Sequence, residues 1–316
     1  MKFAFATAPQ VCTWQEVLDV WKAADEVPFW ESGWTFDHFE AIFTGSRADP
    51  CMEGWITLTA LLAATKRLRG GVLVTGMVYR HPAVLANMAA SLDITSNGRL
   101  ELGIGAGWNQ DECDAYGIEL GTMTERFDRF AEGLEVMKLL LSNDVSNFEG
   151  RYYRLKDAYC NPKAVQKPYP PFTIGGRGSK RTIPLVAQYA QHWNFPGNAE
   201  DPFTEYASLK ARLDEECARI GRNPKDITIS ANVWPREGLD VMARAVDRYA
   251  EMGVDMIIVS MPRPLDVADV DRIAGDRQKF AVAPDGGRSG FDRGAAHPGA
   301  DGVVVVDHLQ RAEADV

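Results

Sequence analysis

Asp37 and His38 stand side by side after the run Trp34-Thr35-Phe36, and a carboxylate next to an imidazole is the minimal equipment for moving a proton. Imidazole titrates nearest neutrality, and a neighbouring carboxylate orients it or raises its pKa. The plainer alternative is a loop histidine bonded to backbone. Glu112 is the next candidate for the same work. Three glycines alternate in Gly103-Ile104-Gly105-Ala106-Gly107-Trp108. Such spacing either lets a flat ligand lie against the backbone or keeps a strand slim for packing. It is not the dinucleotide pattern GxGxxG, because the third glycine falls at 107 and Trp108 follows. The run Gly175-Gly176-Arg177-Gly178-Ser179-Lys180-Arg181 leads into a helix. Free N–H groups and the helix dipole bind phosphate at such a place, and three cations add charge; a simple tight turn is the other reading. Leu73, Val74 and Thr75 offer a bulky shelf for a planar ring, whereas His81, just before Pro82, reads as a helix-start residue.

These residues need a frame, and the chain alternates short β-type runs with longer runs of helical period. The candidate strands are Lys2 to Ala8, Gly33 to Phe36, Gly71 to Thr75, Leu100 to Gly105, Phe172 to Gly175, His192 to Phe195, Ile227 to Val233 and Asp255 to Ser260. Eight parallel strands fit an α/β protein with a single closed (β/α)8 barrel, whose strand C-termini hold the active site. That geometry puts Asp37, His38 and both glycine-rich turns at one mouth. Pro82 opens a helix that Asn97-Gly98 stops, Thr122 with Glu125 forms a capping box, and Asp201-Pro202 opens another helix. Residues 142 to 171 exceed a minimal connection and carry a hairpin around Gly150, an insertion between the helix after strand 4 and strand 5. A loop of that length is often functional, and here it is a candidate seal for the pocket. The domain is expected over 1–274, followed by a Gly-rich tail over 275–316 that is expected to be mobile. The run Val303-Val304-Val305-Val306 in that tail has no assignment.

The 316 residues are 46% hydrophobic and 25% charged, the composition of a globular chain rather than a disordered one. Lys and Arg number 34 against 44 Asp and Glu, a net charge of −10, so the averaged field repels nucleic acid and anionic lipid. No apolar run reaches the roughly 18 residues of a membrane span. The first apolar run is stopped by Pro9-Gln10 and reads as a strand rather than a signal peptide. Five widely spaced cysteines, at 12, 51, 113, 160 and 217, give no zinc pattern and fit a reducing cytoplasm. The expected partner is a small-molecule substrate, and a second copy of the chain in a homodimer.

Taken in order, Asp37-His38-Phe39, Val74-Thr75-Gly76 with Tyr79-Arg80-His81-Pro82, Ser96-Asn97-Gly98-Arg99-Leu100 with Gly103-Ile104-Gly105-Ala106-Gly107-Trp108, and Ile174-Gly175-Gly176 resemble the bacterial luciferase-like monooxygenase superfamily. The resemblance spans about 1 to 260. Glu112 with Ala115-Tyr116-Gly117, Phe148-Glu149-Gly150-Arg151-Tyr152-Tyr153 and Cys160-Asn161-Pro162-Lys163 look most like the branch that uses the deazaflavin coenzyme F-420. The resemblance implies an oxidoreductase that holds a deazaflavin or FMN ring at the barrel mouth, with its phosphate at the strand 5 turn. It implies a non-proline cis peptide near Leu73 to Thr75 behind the ring, and a histidine near the ring at His38. The cofactor residues expected on this basis are Asp37, His38, Leu73, Val74, Thr75, Gly107, Trp108, Gly175, Gly176, Arg177 and Gly178. The catalytic candidates are His38, Asp37 and Glu112. Reduced F-420 passing hydride to or from a small organic substrate is the leading expectation, and an FMN-dependent monooxygenase is the alternative. A flavin-binding barrel without turnover is a third, distinct class. The sequence departs from the family after strand 8, where only Val267 to Ile273 reads as helical and the Gly-rich tail is unlike the usual closing helix.

Overall fold

The structure is a computed structural model, and it describes residues 1–235 and 238–275. The Gly-rich tail and Val303-Val306 lie outside the described residues. Eight parallel strand positions close into a barrel: β1 (Lys2–Ala6), β2 (Trp30–Thr35), β3 (Arg69–Val72) continued by the short β4 (Thr75–Gly76), β5 (Leu100–Gly105), β8 (Phe172–Gly175), β9 (His192–Phe195), β10 (Thr228–Val233) and β11 (Met256–Ser260). β1 pairs with β11 and β3 with β5, so no edge is left open. The eight expected strands are these eight.

Helices clad the barrel: α1 (Trp14–Glu26), α2 (Gly54–Ala64), α3 (Pro82–Thr95), α4 (Gln110–Tyr116), α5 (Met123–Ser142), α6 (Thr182–Tyr189), α7 (Pro202–Ile220), α8 (Leu239–Glu251) and α9 (Ala268–Gly275). Their ends follow the expected chemistry. The Nδ1 of His81 accepts the Ala83 N–H at the start of α3, and Asn97 and Gly98 stop that helix with φ of 56° and 78°. Thr122 and Glu125 form a reciprocal capping box on α5. Asp201 caps α7. Outward strand residues pack on the helices, as where Phe5 meets the Trp21 ring edge-on at 5.4 Å and Trp193 stacks on Tyr206 at 5.9 Å. The lumen is different. Among the described residues its buried apolar cluster is Ala4, Trp34, Met256 and Ile258, with Ala6 and Leu73 packed against it, and buried hydrogen-bonding side chains such as Thr173, His192, Asn194 and Ser230 share the interior with glycines.

The insertion forms a hairpin of β6 (Ser146–Glu149) and β7 (Arg154–Ala158). Its turn is fastened to the outside of α5, where the Glu132 carboxylate accepts N–H bonds from Arg151, Tyr152 and Tyr153 at 2.8, 2.9 and 3.2 Å. Farther along, Lys163 donates to the Leu140 carbonyl, Gln166 binds the buried Asp93 carboxylate, and Arg69 donates to Gln166. The last three anchors lie at the strand N-termini, while the hairpin turn climbs α5 until the Tyr153 ring meets His81, just before α3, edge-on at 5.2 Å. The expectation that residues 142 to 171 seal the pocket is corrected on contact: none of the bonds described for the segment reaches His38, Glu112 or Trp108, and it runs from a helix end to a strand start at the end of the barrel opposite the mouth.

Candidate functional site

β2 delivers Asp37 and His38 to the mouth, but the two take different places. Asp37 is 1% exposed and receives a two-pronged bond from Arg80, at 2.6 and 3.0 Å. Arg80 also bonds Glu53. Expected at the mouth beside His38, Asp37 is instead buried under it, tying the β2 loop to the segment before α3. Burial pushes its carboxyl up to about 6, with the Arg80 guanidinium pulling the other way. Trp55 donates to Thr75 Oγ1 beside this cluster, so Thr75 supports the wall from within.

His38 is 9% exposed, with the Phe36 ring at 5.2 Å and the Trp108 ring at 5.4 Å, both edge-on. Its Nδ1 lies 3.0 Å from Glu112 Oε2. The same carboxylate accepts from the Tyr79 hydroxyl at 2.6 Å and from the N–H groups of Phe39 and Glu40 at 2.7 and 3.1 Å. Burial opposes a charge there, but the hydrogen bonds from His38 and Tyr79 and the His38 charge outweigh it and hold Glu112 at about 2. An ionised Glu112 can only accept, so His38 Nδ1 carries the hydrogen. Nε2 has no protein partner among the described residues. Glu112 comes from the first turn of α4, capped by Asn109, a helix that the sequence does not signal. Seven residues between glycine-rich neighbours were too few to show a helical period.

Outside His38, Trp108 is 36% exposed and stacks parallel to Phe43, with 2° between the planes and 5.8 Å between centroids. Gly107 beneath it has φ of 86°.

The backbone between β3 and β4 breaks at a cis peptide, Leu73-Val74, where the family resemblance places one. Leu73 and Val74 are half-buried at the mouth. A Cβ on Gly103 would lie 1.8 Å from the Val72 carbonyl oxygen, and one on Gly105 would lie 2.7 Å from Val74 Cγ2. Of the two readings of the alternating glycines, the slim strand is the one the coordinates fill: Gly103 and Gly105 face the displaced β3 chain, not open space.

At the end of β8, Gly176 has φ of 131°, a conformation side chains rarely adopt, and the Trp193 indole donates to its carbonyl at 2.9 Å. α6 begins without a side-chain cap beside the turn formed by Gly175, Gly176 and Gly178; the Ile183 N–H donates to the Gly178 carbonyl at 3.0 Å, and Pro184 has no N–H to offer. Arg177 pairs with Glu205 at 3.3 Å and Arg181 with Asp128, so two of the three expected cations are already neutralised. Lys180 is exposed.

Sequence reasoning missed the partners that act from a distance. Tyr79 and Arg80 were quoted only as part of a motif, and Glu53 was not considered. The inward polar side chains of β9 and β10, among them His192, Asn194 and Ser230, look in sequence like ordinary strand alternation. Among the described residues no cluster of His, Cys, Asp or Glu could hold a metal ion, and no helix is long and apolar enough to cross a membrane.

Comparison with known proteins bears on this mouth. The sequence profile of the family described as luciferase-like monooxygenase matches residues 1–290. An uncharacterized protein of Mycobacterium tuberculosis is 30% identical over 226 residues, 71% of this chain and 75% of that one. The F-420-dependent glucose-6-phosphate dehydrogenase of Amycolatopsis mediterranei is 34% identical over 181 residues, 57% of this chain and 50% of that enzyme. The FMNH2-dependent dimethylsulfone monooxygenase of Pseudomonas putida is 29% identical over 229 residues, 72% and 59% of the two chains. Among solved structures, an F-420-dependent secondary alcohol dehydrogenase in complex with an F-420-acetone adduct superposes with a TM-score of 0.76 at 19% identity, covering 89% of this chain and 99% of that one. That likeness establishes the shared barrel.

Proposed function

The chain belongs to the luciferase-like monooxygenase family, and on that premise we propose that it is an oxidoreductase using the deazaflavin coenzyme F-420 for hydride transfer to or from a small organic substrate. The observation that carries the proposal is His38, held through Nδ1 by an ionised carboxylate at the mouth while Nε2 stays uncommitted. Relatives that use F-420 and relatives that use FMN both fall in this family. The F-420 motifs around Glu112 and Cys160 favour the first.

The residues present fit such a cofactor. The turn itself leaves room for an anionic tail: Gly176 has a positive φ, a Cβ on Gly178 would already crowd Thr182 Oγ1 at 2.9 Å, and the exposed Lys180 lies in the same turn. Leu73 and Val74 supply an apolar shelf, with Gly107 and Trp108 at its rim. When bound, the deazaflavin supplies two-electron hydride chemistry. The chain supplies the proton and the positioning. With Nδ1–H fixed on Glu112, Nε2 of His38 takes a proton from a substrate hydroxyl or, once protonated, gives one to a developing alkoxide or enolate. Glu112 stabilises the resulting imidazolium and fixes the ring, as the carboxylate does in a catalytic triad. At about 2 it holds no proton to donate near neutrality, which makes it an orienting group. Its unpaired cysteines suit a reducing cytoplasm.

Absorbance and fluorescence titration of the purified protein with F-420 and with FMN tests the reading. Tighter binding of F-420 is expected, and Gly176→Ala should weaken it at least tenfold in a folded protein. Micromolar FMN binding without F-420 binding overturns the proposal in favour of the monooxygenase.

A further inference from the structure

A barrel of this class ordinarily fills its lumen with branched apolar side chains. Here β8, β9 and β10 turn a continuous hydrogen-bonded row inward. Thr173 Oγ1 lies 3.2 Å from His192 Nδ1, and His192 Nε2 lies 2.7 Å from Ser230 Oγ. Ser230 Oγ accepts from Asn194 Nδ2 at 2.9 Å, and the same nitrogen donates to Asn232 Oδ1 at 3.0 Å. The first four members are buried; Asn232, near the C-terminal end of β10, is partly exposed.

The outer half of the row has a direction. Asn194 spends both Nδ2 hydrogens, one on Ser230 and one on Asn232. Ser230 Oγ accepts from Asn194, and its bond to His192 Nε2 and that of His192 Nδ1 to Thr173 run together in whichever sense the ring tautomer sets. Burial lowers the His192 pKa to about 4, so the ring in the row is neutral near neutrality, with one nitrogen donating and the other accepting. At the outer end, Asn232 Oδ1 is taken and its two Nδ2 hydrogens have no protein partner among the described residues. In the ring of strands, β9 lies across the lumen from β2, where Trp34 meets the His192 ring edge-on at 5.9 Å, and β10 is the next strand along.

We propose that Asn232 is a binding residue whose carboxamide N–H donates to a carbonyl oxygen of the ligand seated in the mouth, and that Ser230 and His192 aim it. The inference rests on the proposed function and deepens it. The carbonyl belongs either to the pyrimidinedione edge of the cofactor ring or to the substrate. A buried row of this kind is costly unless satisfied, and a site built to donate a hydrogen bond discriminates strongly against a ligand that cannot accept it.

The test uses full-length protein with Asn232→Asp, which keeps the acceptor for Asn194 and replaces the outward donor by an acceptor, and Asn232→Ser, which keeps a donor. F-420 and FMN affinities are measured by fluorescence, and oxidation of reduced F-420 is followed with a panel of ketones and enones. If the carbonyl is the cofactor's, Asn232→Asp weakens its binding at least tenfold. If it is the substrate's, binding is unchanged and kcat/KM falls at least tenfold. In either case Asn232→Ser retains more function than Asn232→Asp. Ser230→Ala should cost part of the same loss alone and nothing further in the Asn232→Asp background, because it acts through Asn232. Folded variants with parental affinity and parental turnover, or with parental affinity where the parent turns over no member of the panel, overturn the inference alone. A parent protein that binds neither cofactor overturns the functional reading and this inference with it.

Discussion

The Val74 side chain occupies the space that a side chain on Gly105 would need: a Cβ there would lie 2.7 Å from Val74 Cγ2. Gly175 faces the same valine from the other side, with its own hypothetical Cβ at 3.0 Å from Val74 Cγ1. The displaced β3 chain is thus received by a cleft between two neighbouring strands. Gly105→Ala should destabilise the protein by about 1–3 kcal/mol through overpacking. Adding Val74→Ala should recover most of that loss in urea unfolding. A double variant no more stable than Gly105→Ala alone would assign Gly105 to ligand approach instead.

His38→Ala should bind F-420 nearly as well as the parent and turn over about 10²–10⁴ times more slowly, the usual cost of a missing general acid or base. Its pH–rate profile should lack one limb. If His38 serves only as packing beside Trp108, affinity and rate will fall together and the limb will persist.

Glu112 links the site to acid stability. Its carboxyl ordinarily titrates near 4.5 and here near 2, so as pH falls the unfolded chain takes the proton first. The stabilisation is complete above pH 4.5 and drains away between 4.5 and 2, about 3 kcal/mol in all. Urea unfolding of Glu112→Gln across that window should show a shallower dependence on pH than the parent. Parallel curves would mean the carboxylate gains nothing from its four donors.

Arg80→Ala is expected to act in the opposite pH sense. Asp37, raised from 3.8 to about 6, holds its proton more firmly folded than unfolded, so its contribution to stability declines as pH rises through that range. Without the guanidinium the decline extends to higher pH. The variant should therefore lose about 3–5 kcal/mol at pH 8 and distinctly less at pH 5, where the buried carboxyl can take up a proton. An equal loss at both values counts against a charge-based role.

The strands were legible because each is a short β-type run bounded by turn residues, and the ends of α3, α5 and α7 because Pro82, Thr122-Glu125 and Asp201-Pro202 act on neighbours within a few residues. The site was legible as a set of places, not as a set of bonds. His38 and Glu112 are 74 positions apart, Asp37 and Arg80 are 43, and no local pattern reports which groups meet across a barrel. The insertion misled for a related reason: its length signals a function, whereas its position between a helix end and a strand start is a statement of topology. Polarity inside the lumen was hidden because His192, Asn194 and Ser230 alternate with apolar residues just as a half-exposed strand would.

Because the insertion is fastened to α5 and to the strand N-termini, the molecule has a holding end and a working end. Tyr159, just past the hairpin, is 63% exposed and makes none of the contacts described for the mouth. A cysteine or affinity handle placed there would let the protein be immobilised on an electrode or bead with the mouth turned to the solution, the attachment loading the face that the chemistry does not use.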